Sequence, residues 1–221
     1  MDDASKPVSS RQTGPHPRLQ EIVLKHLNHP WRRPIADHAN EPFEQIRVEM
    51  QSWGGPLIVD TGCGTGMSTR ALAQTHPEAL VIGIDKSIAR LSRSAGILPP
   101  NARLIRMDLE DFWSLSDQAR VRFARQCFFY PNPWPKPEHR LRRWPFHPVF
   151  PLLASGGGIL ELRTNWKVYA DEFALAVGLV TGQTPEVTPW KPAVPETLFE
   201  KKYLAAGHVL WRCETTTVPT R

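Results

Sequence analysis

The chain has 221 residues, 41% of them hydrophobic, enough for one ordinary domain to bury a full core without disulfides or metals. Its 27 Lys and Arg against 22 Asp and Glu give a formal charge of +5 and a pI near 9.3, a basic bias that suits a polyanionic partner without requiring one. Three scattered cysteines (Cys63, Cys127, Cys213) argue against a disulfide framework or a zinc knuckle, and no apolar run approaches the roughly 18 residues that span a bilayer.

The opening residues show no basic-then-apolar signal, so the expected location is cytoplasmic, with no membrane partner. Residues 1–53 are rich in Pro, His, Arg and Ser, with one apolar patch at helical spacing, Leu19, Ile22, Val23 and Leu27. This predicts an N-terminal arm carrying one short helix, ahead of a domain over 54–221. His26 and His29 have metal-ligand spacing, but no cysteine or carboxylate completes a set, and no metal is expected.

From Leu57 the pattern becomes apolar run (57–60), glycine-rich turn (61–66), helical segment (67–74) and apolar run (80–85), a βαβ unit. Further strands are predicted near 102–107, 126–130 and 158–163, with a last helix near 166–180. The run 209–213 reads as an antiparallel neighbour. Strand and helix keep alternating, which gives an α/β class: a doubly wound, mainly parallel Rossmann-like sheet with helices on both faces.

The turn Gly62, Gly64, Gly66 follows a strand and opens a helix, where small residues let a ligand approach backbone N–H groups. A dinucleotide site normally spaces its glycines as G-x-G-x-x-G; here the spacing is G-x-G-x-G, preceded by the acidic Asp60. Asp60 suits an ammonium, Asp85 at the end of the second strand suits ribose hydroxyls, and Asp108 at the end of the third suits an adenine amino group. S-adenosylmethionine carries those three groups in a row and is the expected methyl donor. Strand-end acids also serve as helix caps, and Asp108 is open to that reading.

The segment Phe128, Phe129, Tyr130, Pro131, Asn132, Pro133, Trp134, Pro135, Lys136 resembles the phenylalanine-rich strand and Pro-Asp-Pro-Trp-x-Lys of the bacterial tRNA guanine-N7 methyltransferases. The basic run from His139 to Arg143 resembles that family too, as do Thr164, Asn165, Trp166, Tyr169 (Thr-Asp-Trp-x-x-Tyr) and Thr197, Phe199, Glu200 (Thr-x-Phe-Glu). The resemblance implies methyl transfer to N7 of a guanine in tRNA, by a monomer or homodimer. It implies that Asp60, Asp85 and Asp108 bind the cofactor, with Asn132 beside them, and that Lys136, Thr197 and Glu200 contact the target nucleotide.

Two positions depart from the family. Asn132 stands where its catalytic aspartate does, and Asn165 where a substrate-side aspartate does. An Asn-Pro-aromatic segment also resembles amino methyltransferases that act on an exocyclic nitrogen, and Asn132 as a simple Asx turn is a further reading. Lys136, Arg140, Arg142 and Arg143, interleaved with Trp134 and Trp144, are expected to meet phosphates and bases, Arg140 and Arg143 sharing one helical face. Trp144, Phe146 and Phe150 are expected to face the core. Two alternatives stay open: a small-molecule N-methyltransferase, and a paralogue that binds cofactor or RNA without turnover.

Overall fold

Side chains that alternate between the two faces of a seven-stranded sheet build two cores, one on either side. In a computed structural model, which describes residues 6–94 and 96–218, the chain begins with helices α1 (Leu19–Asn28) and α2 (Asp37–Trp53). Then come β1 (Leu57–Thr61), α3 (Met67–Thr75), β2 (Leu80–Asp85), α4 (Ile88–Leu91), β3 (Ala102–Arg106), α5 (Leu109–Gln118) and β4 (Arg125–Phe129). Two short 3-10 turns, Pro137–Arg142 and Trp144–Phe146, lead to α6 (Phe150–Ala154) and β5 (Gly158–Thr164). The chain continues through α7 (Lys167–Thr181), β6 (Val187–Trp190), α8 (Leu198–Ala205) and β7 (Leu210–Thr217).

The strand order is β3-β2-β1-β4-β5-β7-β6; the first five strands are parallel, and β7 and β6 run antiparallel to their neighbours. Val59, Ile82, Phe128 and Leu160 face the larger core, whereas Ile58, Val81 and Cys127 face the smaller one, the period of two that a strand imposes. Phe146 and Phe150 are fully buried and Trp144 lies edge-on to Trp113, as expected of core-facing residues.

Three sequence expectations change. Residues before the sheet form two helices rather than one, and both are packed: Leu19, Ile22 and Val23 of α1 and Phe43, Ile46 and Met50 of α2 belong to the larger core. The helix near 166–180 is not the last, since β6 and α8 follow it. The basic run after Lys136 is a 3-10 turn that ends at Arg142, so Arg143 falls at its extended C-cap and is buried, and it does not present an exposed face in common with Arg140. Among the described residues, no helix is long and apolar enough to cross a membrane.

Candidate active site

The sheet reverses direction of winding between β1 and β4, and a crevice at the carboxyl ends of the strands is where such folds bind ligands. The Thr61 hydroxyl donates to the Cys127 carbonyl at 2.7 Å, tying β1 to β4 at that point. Gly62, Gly64 and Gly66 all adopt positive φ (71°, 61° and 74°), the left-handed region that glycine enters without strain. A Cβ on Gly62 or Gly64 would meet open space, so these glycines leave a concave surface above the turn. Gly83 serves packing instead: a Cβ there would lie 2.3 Å from Thr69 Oγ1, so its absence lets α3 close on the sheet.

Asp60 is 1% exposed, and the hydroxyls of Ser68 and Thr69 donate to its Oδ2 at 2.6 and 2.7 Å. Burial pushes its carboxyl up to about 6, partly offset by those two hydroxyls. Asp85, 2% exposed, accepts from the backbone N–H of Gly64 at 3.0 Å and of Ser87 at 2.7 Å, so it also shapes the glycine turn. Arg90 closes on the same carboxylate with two nitrogens, Nε at 3.1 Å and Nη2 at 2.7 Å. Asp108 sits at the N-cap of α5 without a side-chain capping bond, so the helix-cap reading of that residue is not realised.

Sequence reasoning missed Ser68, Thr69 and Arg90. A Ser-Thr pair in the first turn after a glycine loop is a legible signal for the first two; Arg90 depends on where the short α4 sets it.

The segment after β4 holds an unusual backbone. Tyr130 (φ 52°) and Trp134 (φ 44°) are bulky residues in the left-handed region, a strain that persists only when surroundings enforce it. Between them Asn132 is exposed, and its Oδ1 accepts the Trp134 N–H at 3.3 Å, the Asx arrangement.

Arg143 enforces the Trp134 end, which corrects its expected role, while Tyr130 is held by its N–H to the Arg163 carbonyl and its hydroxyl to Glu200. It is fully buried, donates Nε and Nη2 to the Trp134 carbonyl at 3.1 and 2.9 Å, and pairs through Nη1 with the buried Glu172 at 2.8 Å. A guanidinium spent in this way has no contact left for a phosphate. The exposed cations of the run are Lys136 and Arg142, the latter 4.5 Å over the Trp134 ring; Arg140 is half-buried, with Nη1 donating to the Pro137 carbonyl.

On the far side, Asn165 Nδ2 lies 3.2 Å from His208 Nδ1. Thr197 caps α8 by accepting the Glu200 N–H at 2.9 Å, while Glu200 Oε2 accepts the Glu196 N–H at 2.8 Å. Glu200 is fully buried, and its Oε1 also accepts from Tyr130, Trp190 and Arg163. Both residues are therefore committed to internal bonds. Glu200 in particular is not placed to replace the charge missing at the exposed Asn132, since it is fully buried with both carboxylate oxygens engaged, one of them by Arg163.

A cavity of about 170 Å³ opens elsewhere, between α1, α5 and α6, and its walls hold none of these residues.

Carboxylates at successive strand ends around an open glycine turn fit an ammonium and a ribose, and with this sheet they define a methyltransferase of the S-adenosylmethionine-dependent class. Residues 54–213 match a family model described as a putative methyltransferase. A tRNA (guanine-N(7)-)-methyltransferase of Leifsonia xyli subsp. xyli is 31% identical over 176 residues, 74% of this chain and 77% of that protein. One from Treponema pallidum (strain Nichols) is 32% identical over 171 residues, 70% of this chain and 64% of its own length. A 16S rRNA (adenine(1408)-N(1))-methyltransferase mutant from Catenulisporales acidiphilia, solved with its cosubstrate, superposes with TM-score 0.52 at 16% identity, covering 82% of this chain and 93% of that one, a likeness of fold. The chain belongs to the tRNA (guanine-N(7)-)-methyltransferase family.

Proposed function

We propose that the chain transfers a methyl group from S-adenosylmethionine to N7 of a guanine in tRNA. When bound, the cofactor supplies an electrophilic methyl on a sulfonium. Asp60 is buried at the end of β1 where an ammonium would need a carboxylate, and Asp85, beside the glycine turn, suits ribose hydroxyls. Asp108 at the end of β3 faces the adenine end of the same crevice in this reading, with Gly62, Gly64 and Gly66 beneath.

Guanine N7 presents its own lone pair, so the chain needs no general base. Methyl transfer to N7 would leave a positive charge on the purine. What the protein supplies is placement in line and a dipole for that charge. The single observation that carries this reading is the loop from Tyr130 to Trp134, strained at both ends and fixed at its Trp134 end by Arg143, with the exposed Asn132 between them. Lys136 and Arg142 stand exposed on the same segment for phosphate.

Asn132 offers a carbonyl dipole but no net charge, and Glu200 does not make up the difference. A unit charge at 4 Å is worth up to about 4 kcal/mol at an effective dielectric near 20, and water at this exposed position reduces that. The protein is therefore expected to transfer slowly, and Asn132→Asp to accelerate guanine-N7 transfer by about tenfold. The test is incubation with methyl-tritiated S-adenosylmethionine and tRNA lacking N7-methylguanosine, followed by digestion to nucleosides. Labelled N7-methylguanosine, rising in the variant, is the expected result. Label on an exocyclic amine, or none in RNA despite measured cofactor binding, would reject it.

A further inference from the structure

Beside Asn165 begins a run of stacked rings for which methyl transfer itself has no use. His208, 3.2 Å from Asn165, stacks on Tyr203 with centroids 5.2 Å apart and planes 13° apart. Tyr203 stacks in turn on Phe199 at 5.8 Å and 25°. The same Tyr203 also meets Tyr130, the strained residue that opens the loop, at 5.6 Å. The ladder therefore starts at the candidate active site and ends on the surface, where Phe199 is 51% exposed.

The surroundings of that outer ring have a definite chemistry. Leu198, at the start of α8, and Val209, just before β7, are also exposed apolar residues (56% and 58%). Lys201 and Lys202 follow on α8, both exposed. The acids of the same turn, Glu196 and Glu200, both turn to the guanidinium of Arg163, and among the described residues neither is paired with a lysine. An open aromatic face with an exposed ammonium one turn along the same helix face, that of Lys202 at i+3, suits a flat base carried on an anionic backbone. Lysines are depleted from protein–protein interfaces, which disfavours a protein partner for this face.

We propose that the Phe199, Tyr203, His208 ladder is a stacking platform for an unpaired RNA base next to the nucleotide that enters the active site. The inference rests on the RNA substrate proposed above and adds a surface to it. Stacking on Phe199 would hold the strand open beside the target and contribute to affinity for tRNA rather than to the transfer step.

Phe199→Ala and Phe199→Trp test it in the full chain. One assay measures affinity for an unmodified tRNA transcript without cofactor; the other measures fluorescence quenching of 2-aminopurine within a single-stranded RNA oligonucleotide, a signal specific to ring stacking. The alanine variant should bind tRNA about tenfold more weakly and lose the quenching, while the tryptophan variant keeps both. Melting temperature and cofactor affinity should stay unchanged in both, because Phe199 lies outside the core.

An alanine variant that binds and quenches like the wild type overturns the platform. Loss of self-association in that variant, with tRNA affinity intact, assigns the surface to a second copy and overturns it as well. Quenching that depends on Phe199, in a protein that transfers no methyl to tRNA, supports the platform and rejects the reaction instead.

Discussion

At the scale of single residues, Asp60 shows function competing with stability. A carboxyl whose folded value is about 6 against an ordinary 3.8 binds its proton more tightly in the folded state. Its contribution to stability is therefore fullest below about 3.8 and is lost as pH rises through about 6, so above that the buried charge is a net cost. At about 1.4 kcal/mol per pKa unit, that cost is on the order of 2–3 kcal/mol. Asp60→Asn keeps an oxygen for the Ser68 and Thr69 hydroxyls and removes the charge, so the variant should melt higher than the wild type at pH 8. It should also lose measurable affinity for S-adenosylmethionine. In the wild type, that affinity should be level above pH 6 and weaken about tenfold per unit below it, because the ammonium needs the ionised form. Calorimetric titration from pH 5 to 8 checks this, and a level affinity across that range would sink the assignment of Asp60 to the ammonium.

Among the elements, the segment joining β4 to α6 depends on a buried ion pair more than on its own sequence. Removing Arg143 alone leaves Glu172 uncompensated, a change that costs about 3–5 kcal/mol in comparable buried pairs, whereas replacing both partners by apolar residues is often neutral. Arg143→Met should therefore lower the melting temperature sharply, and the double variant Arg143→Met/Glu172→Leu should recover most of the loss. The Trp134 carbonyl would still lack both of its guanidinium donors, so kcat should remain at least tenfold down with cofactor affinity intact. A double variant with normal kcat would show that Arg143 serves stability alone. This positioning role was hidden in the sequence, where Arg143 reads as one more cation of a basic run, whereas the fold sets it at the extended C-cap of the 3-10 turn and buries it against Glu172. The capping pair Thr197 and Glu200 was legible, since Thr-x-x-Glu is a helix-start pattern, but motif resemblance drew attention to the nucleotide instead. Strand β6 was not legible: it has four residues, contains Pro189 and sits at the edge of the sheet, paired only with β7.

For the molecule as a whole, the parallel half of the sheet was readable because its first two strands, Leu57–Thr61 and Leu80–Asp85, are buried apolar runs that flank a glycine turn and a helical segment and so fix the βαβ period. The N-terminal region was read less well. Its prolines and charges resemble a loose arm, and α2 carries Pro42 inside it, yet the side chains that matter recur at helical spacing: Ala39, Phe43, Ile46 and Met50 are buried. With Leu19, Ile22 and Val23 they close one side of the larger core, and Ser10 and Gln12 reach the active-site segment through the Pro135 carbonyl and the Arg143–Glu172 pair. Burying one large apolar side chain contributes about 1.5–3 kcal/mol, so the six from α1 and α2 together rival the roughly 5–15 kcal/mol by which a domain is stable. A chain lacking residues 1–53 should therefore show no cooperative thermal transition by scanning calorimetry, although the whole sheet and glycine turn remain in its sequence. Should the truncated protein instead melt cooperatively within a few degrees of the full chain, the first two helices would be an appendage, and the Arg143–Glu172 pair would stand without its bond from Gln12.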